Sequence, residues 1–141
     1  MKVARSLGLD IGDRRIGVAL SDPQGILASP LTIITRRSEA EDVQALTDII
    51  DRHGVTMVIA GLPRSMDGRV GEQAKKVQAF IRRLSAQTDV PLEFRDERLT
   101  TVMVGRLRRR AKTKRGRRNG NDDAEAAALI LQGYLEEKLP G

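Results

Sequence analysis

Residues 3–34, VARSLGLDIGDRRIGVALSDPQGILASPLTII, decide the fold. From Val3 to Ile11 the chain alternates, with Val3, Leu7, Leu9 and Ile11 on one side and Ser6, Gly8 and Asp10 on the other. A period of two is the pattern of a strand. Gly12-Asp13-Arg14-Arg15 reads as a tight turn, and Ile16 to Leu20 returns as a second strand. Asp22-Pro23-Gln24-Gly25 is strong turn chemistry. A third strand is expected from Ile26 to about Ile34, and Pro30, which has no amide hydrogen for a ladder, predicts a bulge or an edge position. Connections this short make the three strands an antiparallel meander.

Downstream the period lengthens. Ser38-Glu39-Ala40-Glu41 fits a capping box; Val43, Leu46, Ile49 and Ile50 follow at helical spacing, and Gly54 is a natural stop. Val55 to Ala60 is a continuous apolar run, the pattern of a strand covered on both faces. Glu72 to Leu84 reads as a helix with Val77, Phe80, Ile81 and Leu84 inward, and Leu92 to Glu97 as a fifth strand. Helices are expected from about Thr100 to Arg110 and from about Asp122 to Lys138. Helical crossovers make the later strands parallel to a neighbour, so the fold class is α/β, a mixed five-stranded sheet flanked by helices. Nothing along the chain reads as a repeat or a linker, and 141 residues are expected to form one domain, 1–141.

Composition narrows the function. The absence of cysteine excludes a disulfide scaffold, a thiolate zinc site and a cysteine nucleophile. It accords with a reducing compartment, and a cytoplasmic protein is expected. Lys2, Arg5 and Asp10 break up the N-terminal region before a secretory signal could form, and no apolar run approaches the ~20 residues that span a bilayer, so no membrane partner is expected. Net charge is +6, from 25 basic and 19 acidic residues. Nine of the basic residues lie between Gly105 and Gly120: Arg106, Arg108, Arg109, Arg110, Lys112, Lys114, Arg115, Arg117 and Arg118. The other 16 are outnumbered by the 19 acids, so the whole basic excess belongs to this one stretch. Such density points to a polyanion, because cationic side chains release counterions when they meet phosphates. A solvated loop that aids solubility is the plainer reading. Phe80, Phe94 and Tyr134 all read as core, which leaves few stacking platforms and favours recognition of backbone and shape.

Three acids stand where a soluble core would not choose them. Asp10 lies near the end of the first strand between Gly8 and Gly12, where a ligand or another backbone can come close. A turn or helix-capping role is its alternative. Glu97 closes the fifth strand, with a surface pair to Arg95 or Arg98 as its alternative. On the last helix Ala127, Ile130, Leu131, Tyr134 and Leu135 define the buried face. Asp123 falls within roughly 50° of that face's centre, whereas Asp122 and Glu125 point about 150° away. A carboxylate facing a sheet needs compensation, from a divalent cation or from the positive end of the helix, for which capping would suffice. Strand ends and helix starts can converge on one sheet edge, and three acids gathered there suit Mg²⁺ or Mn²⁺. Two such ions activate a water and stabilise the departing oxygen of a phosphodiester. Gly61 to Gly68 follows the buried fourth strand, where open α/β sheets bind ligands, and Arg64 and Arg69 are candidate phosphate contacts. With no GxxxxGK[ST], it is not a nucleotide P-loop. His53, beside Gly54, reads as a helix-end partner.

At this point the chain resembles a known family, the YqgF proteins, also called RuvX, described as Holliday junction resolvases and as pre-16S ribosomal RNA nucleases. The likeness is carried by LGLDIGDRRIGVALSD, GLPRSMDGRVGEQAKKVQAF, DERLTT and DDAEAAALILQGYL, in the family's order and across nearly the whole chain. The resemblance implies a ribonuclease H-like fold and a divalent-metal site of three acids. These are Asp10 in LDIG, Glu97 in DER, and Asp123 in the D-x-x-A-A pattern, the acid that the helical wheel also selects. Asp122 stands where the family often has an apolar residue and is an additional candidate ligand. The implied activity is phosphodiester hydrolysis on structured RNA or branched DNA, by trimming the 5′ end of the small-subunit ribosomal RNA precursor or resolving DNA junctions.

Two rival readings accompany this one. A non-catalytic RNA-binding factor of ribosome assembly would keep the fold and leave the site idle. An actin-like kinase also begins with an Asp-x-Gly strand, but such enzymes close two domains over ATP and this chain is expected to supply one. A homodimer is compatible with the sequence and not dictated by it.

Overall fold

The computed structural model describes residues 4–63, 69–97 and 121–138. The helix expected from about Thr100 to Arg110 lies outside them. The described elements run β1 (Arg5–Ile11), β2 (Arg15–Ser21), β3 (Ala28–Thr35), α1 (Glu39–His53), β4 (Val55–Leu62), α2 (Glu72–Ser85), β5 (Leu92–Asp96) and α3 (Asn121–Lys138). The five strands form one sheet in the order β3-β2-β1-β4-β5. β1–β2 and β2–β3 are antiparallel, whereas β1–β4 and β4–β5 are parallel. The mixed sheet expected from the connection lengths is the one observed.

Local chemistry explains the boundaries. The first hairpin closes where the Gly12 amide donates to the Arg15 carbonyl at 2.9 Å, just past the last pair, Ile11 with Ile16. β3 begins two residues later than expected. The Asp22 carboxylate accepts from the amides of Ile26 at 2.7 Å and Leu27 at 3.0 Å, and these bonds hold both residues in the loop. Along β3 the register slips between Val18 and Ala19, whose partners are Thr32 and Pro30, so Leu31 is the extra residue of a bulge on an edge strand. Both expectations for Pro30 hold. The Ser38 hydroxyl accepts from the Glu41 amide at the start of α1, and Gly54 ends that helix with φ 62°, a left-handed conformation that glycine adopts at little cost.

The two faces of the sheet are covered differently. One carries Leu7, Leu9, Ile11, Ile16, Val18, Val58 and Ala60, packed against Val43, Leu46 and Ile50 of α1 and Val77, Phe80, Ile81 and Leu84 of α2. The other meets α3 alone among the described helices, through Ala19 and Ile59 against Ala126, Ala127, Ile130, Leu131 and Leu135. The side of β1 that carries Gly8 and Asp10 is therefore buried as well, which glycine makes workable. A Cβ on Gly8 would come within 2.7 Å of the Ala127 carbonyl and of Leu131 Cβ. One on Gly17 would run into the Asp123 carbonyl. The backbone of α3 lies directly on this glycine lane.

Phe94 corrects the expectation of a wholly buried aromatic set. Phe80 is buried and Tyr134 half-buried, but Phe94 is 42% exposed. The reason is its place on an edge strand: β5 joins the α1–α2 core through Leu92 and, among the described residues, gains little cover beyond it.

Candidate active site

Asp10, Glu97 and Asp123 come from three distant segments and line one cleft of about 490 Å³. Asp10 is on β1, Glu97 directly follows β5, and Asp123 lies in the first turn of α3. All are buried, at 6%, 3% and 5% exposure. The sheet register explains the first approach. Asp10 faces Gly17 across the antiparallel pair, and Gly17 is the residue on which the Asp123 backbone rests. Cross-strand partners lie roughly 4.5–5.5 Å apart, so helix and strand acids are brought to the same patch of sheet. A glycine also makes room for the third acid. A Cβ on Gly61 would fall 2.9 Å from Glu97 Oε1 and 2.5 Å from Ile130 Cδ1.

Arg95, the alternative partner for Glu97, forms an ion pair with Glu137, its Nη1 2.6 Å from Oε1, beneath Gly133. Arg98 lies outside the described residues. Asp123 does have a cationic partner that the sequence reading missed. Arg15 Nε donates to Asp123 Oδ2 at 3.0 Å. Read as a turn residue, Arg15 is the first residue of β2, and the period of two from Gly17 puts it on the α3 face. That alternation was the signal available.

The rim of the cleft is basic and polar: Gly12, Asp13, Arg14 and Arg15 from the hairpin, Pro63 after β4, and Gln73 from α2. Arg36 fixes the hairpin. Its amide donates to the Arg14 carbonyl at 2.9 Å, its Nη1 to the Gly12 carbonyl at 3.0 Å, and its Nε to the buried Asp42 at 3.0 Å. The same guanidinium stacks 4.8 Å from the centroid of Phe80. No sequence pattern singled out Asp42, a carboxylate on a helix that otherwise reads as polar there.

The donor set fits a hard divalent cation, being made of carboxylate oxygens in a polar, buried cleft. Among the described residues, however, no group of three or more His, Cys, Asp or Glu side chains is gathered as a ready metal cage. Asp122 begins the same helix turn, but its side chain is outside the described set, as are Arg64, Arg108, Arg109, Arg110, Lys112, Lys114, Arg115, Arg117 and Arg118. Arg69 is described and exposed, six residues after Pro63 of the cleft.

Comparison with known proteins bears on this arrangement. Residues 4–137 match the family described as "RuvX: Holliday junction resolvase". The chain belongs to that family. It is 50% identical over 132 residues to a protein of Moorella thermoacetica named "Putative pre-16S rRNA nuclease", covering 94% of each chain. A protein of Desulforudis audaxviator with the same name is 46% identical over 137 residues, covering 97% of each. Among solved structures, the chain is similar to Thermus thermophilus RuvC in complex with a Holliday junction substrate (TM-score 0.58, 12% identity, 95% of each chain). It is also similar to the fowlpox virus Holliday junction resolvase (TM-score 0.55, 12% identity, 94% of this chain and 99% of the other). The fold is ribonuclease H-like, and the family is one of nucleases. No helix among the described residues is long and apolar enough to cross a membrane.

Proposed function

We propose that this chain is a divalent-metal-dependent nuclease in which Asp10, Glu97 and Asp123 hold the metal and the substrate is structured nucleic acid. One observation carries the reading: three carboxylates from separate segments, each more than nine-tenths buried, line a single cleft. Three acids buried together call for cationic compensation, and Arg15 on Asp123 is one source of it. Asp122 is proposed as a further ligand on the same helix turn.

Mg²⁺ or Mn²⁺, when bound, would activate a water and stabilise the oxygen that leaves the phosphodiester. The protein's own part is positional. β1 and β5 hold Asp10 and Glu97 on a rigid sheet, and α3 presents Asp123 from the side. Arg14 on the rim, Arg64 and Arg69 after β4, and the basic stretch before α3 are suited to carry the phosphates on either side of the cut. Such contacts read backbone rather than bases. The relatives' names favour the 5′ end of the 16S ribosomal RNA precursor, and the family description favours four-way DNA junctions. The same residues serve both. We further propose a single domain acting in the cytoplasm, with homodimerisation as a separate question for solution measurement.

The test is a cleavage panel of precursor ribosomal RNA, four-way junction DNA and linear duplex, each with Mg²⁺ and with Mn²⁺. Asp10→Asn is expected to lower cleavage by at least about a hundredfold while binding persists. Cleavage at the wild-type rate by Asp10→Asn would remove Asp10 from the mechanism. Substrate binding without cleavage under any metal would favour the assembly-factor reading.

A further inference from the structure

We propose that Arg15 is a placeholder cation at the metal site: it balances charge on Asp123 before an ion arrives, and it gives up Oδ2 when the ion takes that oxygen. The inference rests on the metal reading above and concerns what that reading leaves unexplained. The acids share a cleft, yet among the described residues they are not gathered as a cage.

Three features argue for the hand-over. The first is geometric. Arg15 Nε and Asp123 Oδ2 are 3.0 Å apart, so the guanidinium holds one of the two oxygens that a metal could use. The second is the asymmetry of the pair. The Asp123 side chain is 8% exposed and pinned by α3 on the glycine lane, whereas Arg15 is 36% exposed on a long stem at the rim. The partner that can leave is therefore the cation. The third is charge. A guanidinium and a divalent ion cannot both lie against one carboxylate without repelling each other, and the compact double charge is the stronger competitor for hard oxygen. Detaching Arg15 then becomes part of the free energy of metal binding.

The experiment uses the full chain, Mn²⁺ as the probe, and two readouts that need no cleavage. Free Mn²⁺ is followed by its paramagnetic resonance signal, and thermal melting is recorded with and without the ion. Arg15→Gln is expected to bind Mn²⁺ about tenfold more tightly than wild type, the scale of one partly exposed charge-assisted hydrogen bond. Its metal-free form is expected to melt below wild type, with saturating Mn²⁺ closing most of the gap. Arg14→Gln removes the same charge from the same rim and is the control, expected to change affinity less than about threefold. If Arg15→Gln gains no more affinity than Arg14→Gln, the placeholder role is overturned. Should Arg15→Gln fail to fold, Arg15→Lys keeps the charge but loses the Nε contact. It is expected to bind several-fold more tightly, and affinity equal to wild type overturns the role. Wild-type binding of Mn²⁺ that Asp10→Asn abolishes and Arg15→Gln leaves unchanged defeats this inference alone. Absence of Mn²⁺ binding in every variant defeats the metal reading and this inference together.

Discussion

The two faces of the sheet solve opposite problems. The face toward α1 and α2 is built from Leu7, Leu9, Ile16, Val18 and Val58 against Leu46, Val77 and Phe80, side chains large enough to hold the helices off and fill the gap. The face toward α3 carries Gly8, Gly17, Ala19 and Gly61 beside Ile59, against Ala126, Ala127, Ile130 and Leu131, and at the glycines the helix backbone comes down onto the strands. Bulk supplies buried area and hence stability. Smallness supplies proximity, which lets an acid in the first turn of α3 share a cleft with an acid in the middle of the sheet. The larger apolar core and the Asp10 carboxylate thus lie on different sides of the same strands.

This division can be broken from either side. A large loss of stability is expected from Leu46→Ala, about 2–5 kcal/mol by denaturant unfolding, with the cleavage rate at 25 °C unchanged for the folded fraction. A comparable fall in rate would show that the α1 face also sets the site. Gly17→Ala is also expected to lower the melting temperature, and in addition to lower kcat by about a hundredfold, because the new methyl group pushes the Asp123 backbone off Asp10's neighbour. Full activity in this variant would mean that α3 need not sit so close.

Smaller effects sharpen the picture. Arg36→Lys cannot reproduce the paired contacts to Asp42 and the Gly12 carbonyl, and it is expected to cost about 1–2 kcal/mol and several-fold in kcat through a loosened hairpin. Intact kcat with reduced melting temperature would make Arg36 purely structural. The smallest effect belongs to Asp22, on the loop at the far end of β2. Its carboxyl is held below the ordinary value of 3.8 by backbone amides, Leu27's foremost. Since folding lowers this pKa, its contribution is present above pH 3.8 and is lost as pH falls through the lower folded value. Asp22→Asn should therefore leave cleavage untouched and slightly flatten the acid limb of the stability curve.

Much of this was readable in the residues alone. Alternation, turn chemistry and helix caps located the strands and helices of the described chain to within a few residues, because those signals act between near neighbours. The wheel of the last helix separated Asp123 from Glu125, since a helix's faces follow from its pitch. The family motifs marked Asp10, Glu97 and Asp123. Tertiary structure alone decided three things. It set how far each face is covered, which turned half-buried alternation into a strand buried twice over and left Phe94 at an open edge. It made the glycines of three strands one lane for a helix. It chose Arg15 as the partner of Asp123 across 108 positions of sequence. Local pattern reports which side of an element a residue occupies. Which other element arrives on that side is a property of the packed chain.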